Sequence, residues 1–397
     1  MFFKYLAFPV IKIKKEKKNN DDLRLESART FDEIDKYADA WNLLALNAPQ
    51  QHPVLTHSWI SAYLKSSLKE GESWFCIFAF DNYELVGILP LLVRESRFLG
   101  NKYLLLNTPN YPHTRWVDFL FKEKYGGRVV QLFASYLNGL RPRIIRLTMS
   151  HVLCNSPTFD ILAEGIHGIY SYSYPNGYAS IIPVEGSFND YKKRLSKKLT
   201  GNLRRSNNSL KKLENYSVIV IEDGKDALED LLSFASIEQS GWKGKNGTAI
   251  KYKFWKFFEE LVQNMGKNGW LEWYFLETEN KRIAGYLTIP FGRSAFILKT
   301  GYNEEYRFLS PGSFLTEKLI EHIFSTGKYD VINFFTDFEW LLRWNVERKP
   351  YYRLVIAFNN PLSFFSTRLP YIFYSKFTLV RSIRISLYRA IRNISGK

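Results

Sequence analysis

Ser310-Pro311-Gly312-Ser313 opens a helix-forming run, Phe314 to Ser325, shortly after an apolar strand-like segment, Ser294 to Tyr302. A turn entering a helix presents unpaired backbone N–H groups and the positive end of the helix dipole, a combination that suits a diphosphate. Gly312 has no side chain to block close approach. An ordinary strand-to-helix turn with Ser310 as N-cap has the same appearance. Further on, Asp337 follows the buried-type strand Val331 to Phe335, where a carboxylate emerges at a cleft, and Glu339 lies two residues later. Asp337 equally suits a cap on the short turn from Trp340 to Asn345. Tyr302 ends its strand with a phenol, and Glu238 stands near the end of a helix-like segment. A carboxylate base and a phenolic acid near an anion cradle fit proton transfer to and from a reacting group. Trp242, Lys243 and Lys299 are candidates for an acceptor pocket, the aromatic face stacking on a sugar ring or an apolar chain. Trp242 also fits a core position. Arg204 and Arg205 are candidates for holding a phosphate, or for a solvated helix face.

The elements that must position these residues occur twice. Glu84-Leu85-Val86-Gly87-Ile88-Leu89-Pro90 follows the strand-like Trp74 to Phe80 across a turn at Asp81-Asn82. Arg282-Ile283-Ala284-Gly285-Tyr286-Leu287-Thr288-Ile289-Pro290 follows Trp270 to Glu277 across Glu279-Asn280-Lys281. Upstream of the first hairpin, Leu23 to Ser27 alternates like a strand. Asp32 to Leu46 has helical spacing of Ile34, Tyr37, Ala38, Trp41 and Leu44. A second helix, Trp59 to Leu68, starts from Thr56 or Ser58. Downstream come Tyr103 to Leu106, a helix near Gly127 to Leu140, and a buried strand, Arg143 to Met149. The second copy repeats the plan: strand Ser217 to Ile221, helices Ala227 to Ser240 and Tyr252 to Met265, then the hairpin. Ser294 to Tyr302, the helix after Gly312, Val331 to Phe335 and a closing strand, Tyr352 to Phe358, complete it. Each copy therefore reads β-α-α-β-β-β-α-β-α-β, and a binding cleft is expected where the units meet.

This order resembles the GNAT N-acyltransferase fold. The words within it look like the branch of CelD proteins with a BioF2-like acetyltransferase domain, in a tandem, Fem-like arrangement. In the first copy the resemblance rests on Phe31-Asp32-Glu33-Ile34, Trp41, His57-Ser58-Trp59 and Leu85 to Leu91. In the second it rests on Leu203-Arg204-Arg205, Ser240-Gly241-Trp242-Lys243-Gly244, Ala284-Gly285 and Leu309-Ser310-Pro311-Gly312. It spans roughly residues 22 to 358. The resemblance implies that the pyrophosphate of acetyl-CoA or another acyl-CoA binds at Ser310 and Gly312, with Ser313 adding a hydroxyl. It implies a base among Asp337 and Glu238 and an acid in Tyr302. Related proteins carry a Tyr-Lys pair followed by Trp where this chain has Trp340-Leu341 and then Trp344. Leu341 can neither hydrogen-bond nor carry charge, so that lysine's part is absent or falls to Arg343 or Lys299. The first copy has no Ser-Pro-Gly turn before its third helix and is expected to be catalytically silent.

The 397 residues exceed one compact core of typical size. The expected class is α+β: tandem domains, each a mixed, mostly antiparallel sheet flanked by helices. The expected divisions are a basic tail at 1–21, a first domain at 22–185, a basic connecting arm at 186–215, a second domain at 216–360 and a basic tail at 361–397. Hydrophobic residues make up 46% and aromatics 17%, enough for two cores and against extensive disorder. Two cysteines, Cys76 and Cys154, exclude a disulfide framework and a cysteine-rich zinc site, and a reducing cytoplasmic location is expected. The six histidines form no close pair at ligand spacing, and no metal is expected. Neither a phosphate-binding P-loop motif nor a Gly-x-Ser-x-Gly elbow occurs. No apolar stretch approaches the ~20 residues of a membrane span.

The net charge of +16 points to an anionic partner. Lys12 to Lys18 crowd the N-terminus and no acid follows Glu347. In the tail, Val380, Ile383, Leu387, Ala390, Ile391 and Ile394 share one side of a helical wheel, opposite Arg381, Arg384, Arg389 and Arg392. Such a helix suits an anionic membrane surface, or packing on the protein's own body. The function the family resemblance implies is acylation of an amine, such as an amino sugar of a cell-surface polysaccharide or lipid pathway. Two other classes remain open: a non-catalytic subunit of a polysaccharide synthesis or export assembly, and a transferase that uses aminoacyl-tRNA. The last is the one reading that calls for nucleic acid.

Overall fold

Local signals account for the hairpins. In a computed structural model describing residues 23–372, except 99, 141, 142, 214, 223 and 248, Asn82, Glu279 and Asn280 adopt the left-handed conformation that closes tight β-turns. The lysine-rich segment 1–21 and the tail positions Val380 to Ile394 lie outside the described residues.

The first half runs β1 (Arg24–Ala28), α1 (Phe31–Asp35), α2 (Ala38–Asn47), α3 (His57–Ser66), β2 (Glu72–Asp81), β3 (Glu84–Phe98) and β4 (Asn101–Asn107). It continues through β5 (Leu120–Phe121), α4 (Gly126–Gly139), β6 (Ile144–Leu153), α5 (Pro157–Glu164) and β7 (Ile169–Pro183). Thr30 and Glu33 form a reciprocal capping box on α1, and Thr56 caps α3. The single helix expected from Asp32 to Leu46 is broken at Tyr37. That residue leaves helical geometry, packs its ring on Phe78 and Phe80 and donates its hydroxyl to Glu26.

The second half runs α6 (Phe188–Lys193), α7 (Lys197–Leu210), β8 (Tyr216–Ile221), α8 (Ala227–Ser240), α9 (Trp242–Lys245), α10 (Ile250–Lys253) and α11 (Trp255–Lys267). Then follow β9 (Glu272–Thr278), β10 (Lys281–Phe291), β11 (Ser294–Tyr302), α12 (Pro311–Thr326), β12 (Val331–Asn333), a 3-10 turn (Glu339–Trp344) and β13 (Glu347–Phe358). The expected helix from Tyr252 to Met265 breaks at Phe254, whose ring turns towards Tyr111 and His113 of the first half.

The thirteen strands described join in one sheet in the order β1-β2-β3-β4-β6-β13-β7-β12-β11-β10-β9-β8, with β5 on β3. The halves exchange their last strands. β13 enters between β6 and β7 of the first half, and β7 reaches across to pair antiparallel with β12. Leu354, Ile356 and Phe358 of β13 therefore lie in the first half's core beside Leu147 and Met149, while Ile182 of β7 lies in the second half's core beside Ile332. On one face of the sheet a single core crosses the seam, with Trp59 of α3 against Phe257 of α11 and Phe335. No helix among the described residues is long and apolar enough to cross a membrane.

Candidate active site

The second half contains a fork in the sheet. β11 and β12 run parallel but pair only at Ser294 with Val331, Ala295 with Ile332 and Phe296 with Asn333. At Leu298, where the register with β10 shifts, β11 bulges and departs from its neighbour. The chain beyond β12 stays with β7 instead, through Phe334 N–H to Ser180 O at 3.0 Å and Ser180 N–H to Thr336 O at 2.9 Å. Among the described residues the first half has no such opening. There β4 pairs with β6 from Leu104 to Asn107, and Thr108 N–H extends the ladder to Thr148 O.

Phe335 sits at the point of the fork with φ of 56°. A left-handed conformation costs a non-glycine residue roughly 1–2 kcal/mol, and aromatic packing compensates. Trp116 stacks on Phe335 at 4.9 Å and 8°, and His52, Trp59 and Phe296 surround the ring. The loop carrying Thr114 and Trp116 is fastened by Trp59 Nε1–H to Thr114 Oγ1 at 3.1 Å. The first half thus supplies one wall of the second half's cleft.

The mouth of the fork lies at the strands' C-terminal ends, where α12 begins. Ser310 takes a left-handed conformation and ends the 3-10 segment before α12, and its side chain caps nothing. Its carbonyl instead accepts from the N–H groups of Ser313 and Phe314. Gly312 is half-exposed, and a Cβ there would stand 3.1 Å from the Tyr302 ring, so the tyrosine lies directly against the helix entrance. The 3-10 turn after β12 brings Arg343 to the same place, its guanidinium donating to Ser313 Oγ at 3.3 Å. Tyr302, Ser310, Gly312, Ser313 and Arg343 are therefore one cluster. These residues fit an acyl-CoA diphosphate: a helix entrance open at a glycine, with a cation and a hydroxyl beside it.

Glu238 is placed differently from a free base. It is buried, and Lys243 and Lys299 both reach its Oε1 at 2.8 Å while Ile250 N–H donates to Oε2 at 2.7 Å. Burial raises its pKa, but the two ammonium groups outweigh burial and hold the carboxyl below its usual range. Lys299 is pushed down to about 8 by burial and by Lys243, against the pull of Glu238. Lys243 also donates to Thr300 O at 2.7 Å. This triad fastens α8 and α9 to β11 next to the fork, at Gly301, where an added Cβ would be 3.5 Å from Glu238 Cβ. Removing the carboxylate would leave buried Lys299 facing half-buried Lys243 with no counter-charge between them.

Asp337 forms a two-point ion pair with Arg348 of β13, Arg348 Nε donating to Oδ1 at 2.9 Å. It does not cap the turn that follows. Trp242 is half-exposed with Lys243 above its ring. Arg204 and Arg205 diverge on α7: Arg204 lines a hollow on the other flank of α12, whereas Arg205 bonds Asn202 on its own helix.

Leu341 is fully buried in the second half's core with Trp344 and Leu309, so leucine fits the position, and a lysine ammonium would be stranded there. Arg343, two residues on, is the cation at the helix entrance. Trp116, Phe335 and Arg348 escaped sequence reasoning: the first two act through partners far away in the chain, and Arg348 meets Asp337 only because the turn between them folds back.

Residues 197–340 match the family model described as Acetyltransferase (GNAT) domain, a segment that begins at the first residue of α7. No curated protein matches the chain. Among solved structures, FemX superposes with a TM-score of 0.56 at 10% identity, covering 82% of this chain and 96% of that one. A conserved protein of unknown function from Bacteroides thetaiotaomicron gives 0.53 at 12% identity, covering 81% and 97%. At such identities the likeness is one of fold.

Proposed function

We propose that this chain, a tandem protein of the GNAT acyltransferase fold, transfers an acyl group from acyl-CoA to an amine. The acceptor we favour is an amino sugar or other precursor of a cell-surface polysaccharide or lipid, in keeping with the CelD/BioF2-like words of the second half. The observation that carries this reading is the fork between β11 and β12, which opens under the glycine entrance of α12 and is absent from the first half. The diphosphate would lie on the N-terminal turn of α12 with Arg343 and Ser313 beside it. Tyr302, at the end of β11 beside the opening, is the acid we assign to the departing thiolate. Glu238 and Asp337, each held in an ion pair, keep β11 and the chain after β12 in place on either side of the opening.

The test is donor binding and thiol release with a panel of amino sugars. Gly312→Val is expected to weaken acyl-CoA binding at least tenfold, and Arg343→Ala several-fold. Tyr302→Phe should lower turnover while donor affinity stays within twofold. If acyl-CoA neither binds nor shifts the melting temperature, the reading fails. Steeply salt-dependent tRNA binding would then favour an aminoacyl-tRNA donor, and its absence a non-catalytic subunit.

The basic C-terminal pattern supports placement on an anionic membrane surface. Truncation at Phe364 is expected to release the protein from anionic vesicles, and unchanged binding rules out the tail as the anchor.

A further inference from the structure

The other flank of α12 carries a hollow of about 700 Å³ between α6, α7, β8 and α12. Lys192, Arg204, Lys211 and Lys318 line it, together with Asn207 and Asn208, and among the described residues no carboxylate does. Two of the cations pair with acids outside the lining, Lys192 with buried Glu317 at 2.5 Å and Lys318 with solvent-facing Glu321 on its own helix at 2.7 Å. Arg204 and Lys211 have no acidic partner among the described residues, and α7 contains no acid at all.

α7 is firmly docked. Leu199, Leu203 and Leu210 are buried, and Ser206 Oγ donates to Leu309 O at 2.5 Å, so the cationic face is held over the hollow rather than free to turn away. Cations fixed around a concave, low-dielectric wall concentrate positive potential inside it. Seven residues of helix set Arg204 and Lys211 about 10 Å apart along the axis, more than one phosphate bridges but within reach of two linked phosphates. Asn207 and Asn208 lie between them as amide donors. The floor is apolar: Tyr216 of the edge strand and Phe314 of α12 meet at 5.9 Å and 78°, a surface for a planar ring or an alkyl chain. The volume is that of a small-molecule site.

We propose that this hollow binds an organic diphosphate, nucleotide-linked or lipid-linked, which carries the amine acceptor. The phosphates sit between Arg204 and Lys211, Arg204 giving a two-pronged contact, and the organic portion lies on Tyr216 and Phe314. Phe314 and Lys318 belong to the first two turns of α12, so the hollow and the helix entrance at Gly312 stand about one helix diameter apart, ~10 Å. An acceptor held in the hollow therefore lies beside the proposed donor site. The acceptor role rests on the acyl-transfer reading; diphosphate binding does not.

Calorimetry with the full chain tests it, using pyrophosphate, a uridine diphosphate amino sugar and vesicles doped with a polyprenyl diphosphate. Arg204→Ala with Lys211→Ala is expected to weaken binding at least tenfold at unchanged melting temperature, since both side chains are exposed. Lys197→Ala with Lys198→Ala removes the same charge from residues outside the hollow and should change binding less than twofold. Tighter binding of the uridine compound than of pyrophosphate identifies a nucleotide-linked ligand; binding only to doped vesicles identifies a lipid-linked one. Millimolar ligand without heat in any arm, or equal losses in both double variants, overturns the proposal. Acyl-CoA affinity is measured on the same variants. If diphosphate binds in the hollow and acyl-CoA binds nowhere, the acyl-transfer reading falls and the site stands.

Discussion

Severing the chain at Gly186 is expected to leave neither half folded, although each half has a complete set of elements by its order in sequence. Without residues beyond 186, the first half loses β13 from the gap between β6 and β7. It loses with that strand Leu354, Ile356 and Phe358, all buried in its own core. Burying one such side chain is worth about 1.5–3 kcal/mol, so three are worth roughly 5–9 kcal/mol, comparable with the whole stability of a typical domain at about 5–15 kcal/mol. The second half in turn loses β7, and β12 is left as a three-residue strand with one partner. Its helices also lose the seam, where Trp59 and Trp116 cover Phe257 and Phe335. Residues 1–186 and 187–397 expressed separately should lack a cooperative urea transition, and co-expression should recover a soluble complex that melts as one unit. A sharp, two-state transition for residues 187–397 alone would show that the exchanged strands are dispensable.

The strand exchange marks the limit of what was legible in the chain. Hairpins β2-β3 and β9-β10 depend on alternation and on turn residues within reach, and helices such as α8 depend on local periodicity. These could be read directly. The pairing of β13 with β6 rather than with β12 depends on contacts some two hundred residues apart in sequence, and an apolar run such as Leu354 to Phe358 satisfies either neighbour. The helix entrance at Gly312 was legible because a Ser-Pro-Gly turn before a helix carries its own backbone logic. Glu238, Lys243 and Lys299 were recognisable as charged groups near a cleft, but their neutralisation of one another was not, because mutual distance is a tertiary property. Leu341 shows the same boundary: its type reported a missing lysine, and only its burial shows that the position belongs to the core while Arg343 faces the helix entrance.

Acidification from pH 7 to 4.5 is expected to lower stability, His52 and His151 together contributing a loss on the order of 5 kcal/mol. Histidines packed into the seam carry this effect. His52 lies among Trp116, Phe296 and Phe335, its Nδ1 accepting from Val54 N–H, and burial pushes its pKa down to about 3. His151 lies against Tyr351, where burial and then Arg115 and Arg353 push it to about 4. His113 is held well below its ordinary value by burial and by Lys299, Lys243 and Arg115. Below about pH 6.5 these imidazoles take up protons in the unfolded chain while remaining neutral in the folded one, so stability falls as pH falls. His52 and His151 together account for about 1.4 kcal/mol each per pH unit over two units. Asp118 works in the opposite sense. Burial lifts its carboxyl to about 6 despite Ser156 and Thr158, so the folded state binds a proton that the unfolded state does not bind until nearer 3.8. That gain opposes the loss carried by the three imidazoles. Urea titrations at half-unit steps measure the slope, and His52→Phe combined with His151→Phe should flatten it by nearly two protons. Because His52 packs against both Trp116 and Phe335, tryptophan fluorescence should report loss of the seam in the same pH range. A stability constant between pH 6.5 and 5 would mean that these imidazoles are accessible to protons in the folded protein, and that the seam is wetter than its packing implies.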